Sequence, residues 1–287
     1  MMRLGPLGAL RDIPSYPEVS VSVERPGNTL TSLGGKRYAQ RAPQGKRSWS
    51  LSMRYMTPAD LAYLTALATG AIPGPLYLYT DAAAQTNLLP ADIAAPGLMG
   101  ASGLSLPNGS RPPRGRIAAY IGTTTLDAAN VTLGVSCDPS VDGQWSAPIP
   151  VRPTAAGYRI SCWSTAAAES LLVSALDRFG GRTTAGSVTT ASAGMSIDGL
   201  AGFRGETALT MGGGSTVAFS FALPSNADPA FRVGALRLTE GTAAQDGAWL
   251  PGHGVPEVVI DDPEQTLQLV TATRVASNYS ITLREVG

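Results

Sequence analysis

The chain of 287 residues is long enough for one large core or two ordinary ones, so we expect two domains. Lys and Arg balance Asp and Glu at 21 each, which leaves no basic field that would attract nucleic acid or another polyanion. The 33 Gly and 22 Pro residues are spread along the chain, as is typical of many short strands joined by turns. A mainly β fold is therefore expected.

Targeting signals are not evident. The first 17 residues have no apolar core of a signal peptide, and no run of eighteen apolar residues occurs. We therefore expect a protein that is neither exported through a cleavable signal nor inserted into a membrane. Cys137 and Cys162 both follow alternating patterns that point them inward, and a reduced pair is the expected state, with a disulfide across a sandwich as the alternative.

The first clear element is a strand over residues 18–24, with Val19, Val21 and Val23 expected inside. Residues 25–46, which we call the arm, contain five basic residues and long polar turns. The arm is interpreted either as a solvated loop or as a projecting hairpin that contacts a neighbouring subunit. The candidate contact residues are Lys36, Arg37, Tyr38, Arg41, Lys46 and Arg47.

The stretch from Arg47 to Tyr79 predicts strand, helix, turn and strand. Trp49, Leu51, Met53 and Tyr55 alternate with polar residues, which indicates a strand with one buried face. A helix should then begin at an N-cap with Pro at its first position and Asp three residues after the cap, and a glycine should end it. The apolar residues 76–79 predict an extended segment.

Beyond residue 87 the composition shifts towards Pro, Gly, Ala and Ser, followed by short strands at sandwich-like intervals. Seven such strands without a helical pattern favour a two-sheet β-sandwich. The predicted strands are 117–121, 131–137, 157–164, 171–176, 186–190, 216–223 and 232–238.

The C-terminal residues 277–284 repeat the pattern of residues 47–54, with an aromatic and two aliphatic side chains on one face and hydroxyls on the other. Similar faces suit the same sheet. We therefore predict a first domain of residues 1–87 completed by residues 256–287, with the sandwich, residues 88–255, inserted within it. The alternative is that the last strand closes the sandwich.

These features resemble a known family. Residues 16–89, with Gly34 to Arg41, the Trp49 strand, the capped helix and the segment ending in Leu89, are similar to the N-terminal region of distal tail or minor tail proteins of long-tailed, siphovirus-like actinobacteriophages. The later half is similar to the jelly-roll, carbohydrate-binding-module-like domain found in such proteins. The signatures are 148–151 leading to 158–163, and 233–241 followed by Trp249 and 251–256.

The resemblance implies an oligomer, typically a hexameric ring, at the distal end of a phage tail. The N-terminal β domain with its short helix and arm would form the ring, and the sandwich would lie outside it. The implied partners are further copies of the chain, the tail tube protein and the tail-tip or hub proteins. DNA would pass through the lumen without specific binding, and the implied location is the virion after assembly in the host cytoplasm.

Catalytic and metal chemistry finds little support. The single histidine, His253, lies in a Pro-Gly-His-Gly-Val-Pro loop without a nucleophile motif or a second imidazole. No cofactor is expected. Structural calcium in the sandwich is left open, but aspartate is also common in turns. The candidate carboxylates are Asp138 with Asp142, Asp198 and the Asp261-Asp262 pair. We expect a structural protein and not an enzyme, so a cell-wall hydrolase is the weakest interpretation.

Besides contact with neighbouring proteins, the outward sandwich could bind a host cell-surface glycan. Exposed aromatic side chains of a sandwich can stack on sugar rings, and Trp163 should point away from the core because Cys162 points inward. Arg159 would lie on the same face, and Trp145 and Trp249 are further candidates. Packing of these tryptophans against loops or the first domain is favoured over a glycan contact. A free carbohydrate-binding protein without a ring role is the competing interpretation.

Overall fold

The structure is a computed structural model, and the part of the chain that it describes is residues 2–13, 18–25, 27–41, 45–90, 123–126, 129–135, 148–154, 156–164, 170–197, 200–209, 211, 215–222, 232–241, 254–271 and 274–286. The predicted mainly β class is confirmed: these residues form 19 strands and two helices. The chain divides into two units, Met1–Leu78 with Pro256–Gly287 and Tyr79–Val255. We call them the first and second unit.

The first unit contains a seven-stranded sheet in the order β2-β1-β7-β18-β19-β6-β3 and a separate two-stranded sheet, β4-β5. One helix, α1, belongs to this unit. The elements are β1 (Met2–Pro6), β2 (Arg11–Asp12), β3 (Glu18–Glu24), β4 (Gly27–Thr31), β5 (Arg37–Arg41), β6 (Lys46–Met56), α1 (Pro58–Ala68), β7 (Leu76–Thr80, whose last two residues lie in the second unit), β18 (Glu257–Thr271) and β19 (Arg274–Val286).

The C-terminal strand β19 pairs with β6, as the matching patterns of the two segments predict. Leu51 lies opposite Ile281, and Trp49 lies opposite Leu283. All four side chains are buried in one core that consists of residues of the first unit. Burial of each such side chain contributes roughly 1.5–3 kcal/mol, so this ladder is a main source of the unit's stability.

Helix α1 begins and ends where the sequence predicts. The hydroxyl oxygen of Thr57 accepts a hydrogen bond from the backbone N–H of Asp60, and Pro58 occupies the first turn. The carboxylate of Asp60 accepts a hydrogen bond from the Thr57 hydroxyl at 2.6 Å. Gly70 follows the helix with φ +73°, a conformation that favours glycine. Leu64 and Leu67 are buried, so the helix covers part of the sheet.

Tyr55 departs from the predicted alternation of β6. The sequence pattern assigns it to the buried face, but its side chain is 67% exposed. Tyr55 has a positive φ of 56°, and the register with β19 shifts here, so that two residues of β6 lie opposite Asn278. This bulge reverses the alternation and returns Met56 to the core.

The prediction that Val19, Val21 and Val23 lie inside is wrong. They are 39%, 55% and 65% exposed. Their cross-strand partners in β6 include Leu51 and Trp49, so the valines share the core side of the sheet. However, β3 is the edge strand of the described sheet, whereas α1 packs near β18. Within the described residues, the apolar face of the sheet therefore extends beyond the part that other elements cover.

The second unit contains two antiparallel sheets, of four strands in the order β10-β16-β12-β13 and of six in the order β14-β15-β11-β17-β9-β8. Its helix is α2 (Asp81–Thr86). The strands are β8 (Thr123–Leu126), β9 (Ala129–Val135), β10 (Ile149–Pro150), β11 (Tyr158–Ser164), β12 (Ser170–Asp177), β13 (Arg182–Thr189), β14 (Ala191–Ile197), β15 (Leu200–Leu209), β16 (Thr216–Ala222) and β17 (Arg232–Glu240).

A sandwich-like core lies between these two sheets. The Tyr158 ring of the six-stranded sheet meets the Phe219 ring of the four-stranded sheet edge to face, with ring centroids 5.5 Å apart. Cys162 is a free and fully buried thiol, whose pKa burial raises to about 12, against the opposing effect of Arg204. The predicted strand 117–121 and Cys137 lie outside the described residues, and the strands β14 and β15 were not predicted.

The sequence predicts that the inserted sandwich begins at residue 88. In the structure the second unit begins earlier. The side-chain amide of Asn87 donates to the carbonyl of Leu236, and its oxygen accepts from the backbone N–H of Leu238, while Leu88 N–H donates to Leu238 O. Arg237 also donates to the carbonyl of Thr86 at the end of α2. These bonds attach residues 86–88 to β17, and the second unit begins at Tyr79.

The two ends of the first unit's interruption are neighbours. Leu78 N–H donates to Pro256 O at 3.0 Å, and the next residues of β7 and β18 pair as Tyr77 with Glu257. The second unit is thus inserted at the end of an antiparallel strand pair.

Replacing residues 79–255 with Asn-Gly, which forms a two-residue hairpin turn, should leave a folded first unit, because its core contains no residue of the deleted segment. We expect a cooperative thermal transition by circular dichroism and retained near-ultraviolet signals. The same deletion with Ile281→Asp is the control and should abolish both. A deletion protein without a cooperative transition would contradict the inferred independence of the core.

Candidate functional site

The arm forms a β-hairpin that continues the β3–β6 strand pair. Glu24 pairs with Lys46 at the end of that strand pair, and Gly27 pairs with Arg41 at the start of the hairpin. Strands β4 and β5 form a sheet of their own, separate from the seven-stranded sheet. The arm is therefore a two-stranded projection, the geometry that one of the two sequence interpretations expects.

The hairpin ends in a tight turn. Ser32 N–H donates to Lys36 O, Gly35 N–H donates to Ser32 O, and Lys36 N–H donates to the Ser32 hydroxyl oxygen. Gly35 has φ +76°, so glycine is required there. Leu33 lies at the apex with its side chain fully exposed. The turn places an apolar side chain in solvent, although the turn conformation does not require an apolar residue at that position.

The predicted contact residues divide between the hairpin and the sheet. Arg37 and Tyr38 are in β5, and the Lys36 ammonium lies 5.5 Å from the centroid of the Tyr38 ring. Arg41 ends β5, and its side chain lies outside the described part of the structure. Lys46 begins β6.

Arg47 belongs to the sheet and anchors the base of the arm. Its Nε and Nη2 atoms donate to the two carboxylate oxygens of Glu285 at 2.9 and 3.0 Å, and its backbone N–H donates to the same carboxylate. The guanidinium also lies 5.1 Å from the centroid of the Trp49 ring. Such a two-point ion pair fixes orientation, so Arg47 ties the first residues of β6 to the end of β19.

Apolar side chains are exposed on the arm and on the adjoining strand. Leu30 and Tyr38 lie directly opposite each other in the hairpin and are 60% and 53% exposed. Val19, Val21 and Val23 of β3, which we call the valine face, add a second exposed apolar strip. Single exposed apolar residues are common, whereas a continuous apolar strip along an edge strand is typical of surfaces that bind other proteins.

A second hairpin with the same turn geometry lies between β12 and β13. Asp177 corresponds to Ser32: its backbone N–H donates to Gly181 O, its carbonyl accepts from Gly180 N–H, and its carboxylate accepts from the N–H of Phe179 and Gly181. Phe179 is exposed at the apex, with the guanidinium of Arg178 4.8 Å from its ring centroid. The exposed aromatic residue was not among the predicted site residues.

The glycan candidate Arg159 is part of a charged row on the six-stranded sheet. Its Nη1 donates to Glu206 of β15 at 2.8 Å, and Arg204 contacts the same carboxylate at 3.3 Å. The backbone of Trp163 lies opposite Arg204 and Gly234, so it shares this part of the sheet, but its side chain lies outside the described part. Trp145, Trp249 and His253 also lie outside it.

A polar network that the sequence did not predict is enclosed in the second unit. Arg152 donates through Nε to Glu240 at 2.6 Å and through Nη2 to the other carboxylate oxygen, and Tyr79 donates to Glu240 at 2.7 Å. Tyr158 donates to Arg152 O and accepts from Arg152 N–H. Its members come from distant parts of the chain, so local sequence patterns carry no signal for it.

The network shifts the titration of its members. Burial alone would raise the pKa of Glu240, but the hydrogen bonds from Arg152 and Tyr79 and the positive charge of Arg152 hold that pKa below its usual range. Burial, reinforced by Tyr158 and Glu240, raises the pKa of Tyr79, and the hydrogen bond to Glu240 raises the pKa of Arg152. The donors and the carboxylate satisfy one another, which favours a stabilising role over a ligand site.

Metal chemistry has no group to support it in the described residues: no three His, Cys, Asp or Glu side chains come together there. The calcium candidate Asp261 is ion-paired with Arg284 at 2.9 Å, while Asp138, Asp142 and Asp198 lie outside the described part.

No helix of the described part of the chain is both long and apolar enough to cross a membrane. Comparison of the chain with protein-family models, curated proteins and solved structures finds no match.

Replacing Glu240 with Gln should lower the free energy of unfolding by about 2 kcal/mol at pH 7, because a charge-assisted pair in a partly buried network is lost. Since the folded-state pKa of Glu240 is lowered, its stabilising effect is full above the unfolded value of about 4.3 and disappears as the pH falls through the folded value. Urea unfolding between pH 7 and pH 3 measures the difference.

The matched control is Glu264→Gln, which changes an exposed carboxylate and should leave the urea midpoint unchanged throughout this pH range. An equal loss of stability for Glu240→Gln at pH 7 and pH 3 would show that the carboxylate charge does not stabilise the network.

Proposed function

We propose that this chain is the structural subunit of an oligomeric ring at the distal end of a long-tailed phage tail, where the ring joins the tail tube to the tail tip. Residues 16–89 and the sandwich signatures support the assignment through their resemblance to distal tail and minor tail proteins. The partners would be further copies in a hexameric ring, the tube protein and the tip proteins, with DNA passing through the lumen. This role requires neither catalysis nor a cofactor.

The single observation that carries the proposal is the exposed arm. A two-stranded hairpin is marginally stable in water unless its apolar face packs against another surface. Here Leu30, Leu33 and Tyr38 are all exposed, and full burial of each would contribute roughly 1.5–3 kcal/mol. A partner that covers the arm would supply the stabilisation that the described chain does not.

The adjoining edge strand supports the same conclusion. Proteins protect long edge strands with prolines, inward charges or a covering element, because bare edges pair with other chains. Strand β3 spans seven residues, contains neither Pro nor Lys, and exposes three valines. In contrast, the opposite edge strand of the described sheet, β2, has only two residues. One edge is suited to association and the other is not.

For the second unit we propose contact with neighbouring proteins in preference to glycan binding. Arg159, the polar candidate for a sugar contact, is engaged by Glu206, and both side chains are mostly buried. A sugar would have to compete with this ion pair. The free carbohydrate-binding protein is therefore the weaker candidate.

Replacing residues 27–41 with a short Gly-Ser linker should abolish self-association while the second unit remains folded, since the arm belongs to the first unit. We expect a closed oligomer for the unmodified chain and a monomer for the variant, measured by light scattering and negative-stain imaging. Thermal unfolding of the second unit should be unchanged.

Phe179→Ser is the matched control, because it removes an exposed apolar side chain from a hairpin of the same turn geometry and should leave the oligomer intact. An unmodified chain that stays monomeric at every concentration would overturn the proposal. An oligomer that survives loss of the arm would remove the arm from the interface.

A further inference from the structure

We propose that the arm of one copy lies across the valine face of the next copy, so that each subunit both gives an arm and receives one. This inference rests on the proposed ring function and names the surface that the arm contacts. It follows from the two exposed apolar surfaces of the first unit, the arm and the valine face, which occur in the same segment of chain.

The arm has one apolar face. Leu30 of β4 and Tyr38 of β5 are a cross-strand pair and therefore lie on the same face of the hairpin. The neighbouring pairs, Thr29 with Ala39 and Thr31 with Arg37, lie on the opposite face because side chains alternate along a strand. One face thus presents an aliphatic and an aromatic side chain, and the other presents small and polar side chains.

The valine face is an open continuation of the core. Val19 and Val21 lie opposite Leu51 and Trp49, which are buried, yet the valines become more exposed towards Val23. A partner that packs at this position would extend the existing core, so no separate apolar core has to form between the two proteins. An apolar strand pair that lies flat on the sheet is the shape that such a strip accepts.

A second copy is the occupant that satisfies both surfaces with one contact. In the described part of each chain both the arm and the valine face are exposed, and a contact between two copies covers both of them at once. Two different surfaces that bind each other form a head-to-tail contact, and repetition of that contact closes a ring when the rotation permits. One interface therefore buries both strips in every subunit.

Charge favours the same pairing. Residues 25–46 contain five basic and no acidic residues, whereas the rest of the first unit, residues 1–24, 47–78 and 256–287, contains six basic and nine acidic residues. The arm of one copy is therefore attracted to the body of another.

Disulfide mapping between two chains that each carry one introduced cysteine tests the contact. In a Cys137→Ser background, in which Cys162 stays buried, one chain carries Val21→Cys and the other Leu30→Cys. The two chains are mixed and oxidised, and the linked product is measured on non-reducing gels. We expect an interchain disulfide between them, because a disulfide requires close approach of the two backbones.

Thr29→Cys replaces Leu30→Cys as the matched control. It lies one residue away on the opposite face of the hairpin, so its yield of linked product should be at least tenfold lower. In addition, Val21→Cys should react with maleimide at least tenfold more slowly in the oligomer than in the chain that lacks residues 27–41.

The outcomes separate the two proposals. Oligomers that link through Leu30→Cys and protect Val21→Cys support the contact. Oligomers that link equally through Thr29→Cys, or that leave Val21→Cys reactive, overturn this contact, assign the valine face to a different partner and leave the ring proposal standing. A mixture that never forms oligomers overturns both.

Discussion

The pairing of β6 with β19 is the constraint on which the first unit depends. It brings together residues that are up to 238 positions apart in the chain, as in the Arg47–Glu285 ion pair. The apolar side chains of the ladder form the centre of the core, with Leu51 opposite Ile281. Because β6 also pairs with β3 on its other side, the same ladder fixes the edge strand and the base of the arm.

The two units differ in the groups that are most prominent in them, although the first also contains the Arg47–Glu285 ion pair and the second the exposed Phe179. In the second unit two mostly buried carboxylates have close polar partners: Glu240 accepts hydrogen bonds from Arg152 and Tyr79, and Glu206 binds two arginines. Such closed arrangements give rigidity and leave little for a ligand to bind. The first unit instead leaves apolar groups in solvent, and exposed apolar surface is stabilised by association with another protein. This contrast favours an assembly role over recognition of a small molecule.

Sequence patterns predicted the elements whose causes are local. The cap at Thr57, the glycine that ends α1 and the alternation of Trp49 and Leu51 each depend on neighbours within a few residues, and each is present in the structure. The pairing of β19 with β6 was also predictable, because the two segments have the same pattern of apolar and hydroxyl residues and therefore suit the same buried face of a sheet.

The rest depends on tertiary position. Alternation at Val19 predicts an apolar face, but it does not reveal that β3 lies at the edge of the sheet, where nothing in the described chain covers that face. Strand β15 was missed because its glycines are unfavourable in strands, yet a side chain at Gly205 would lie 2.6 Å from the Thr189 carbonyl oxygen. The Arg152–Glu240 pair likewise arises from contacts between distant segments. Within the described part of the charged row, the sequence predicted only Arg159 as a site residue. It did not predict the ion-pair partner of Arg159, Glu206.

The order of strands along the chain also has a kinetic consequence. A ribosome releases β3, the arm and β6 first, then the whole second unit, and only then β18 and β19. Domains fold as they emerge, so the second unit can complete its fold while β6 still lacks a partner on one side. Contacts between segments so far apart form slowly. The surfaces of the first unit become fixed only when synthesis has passed β19, which would delay the proposed self-association until then.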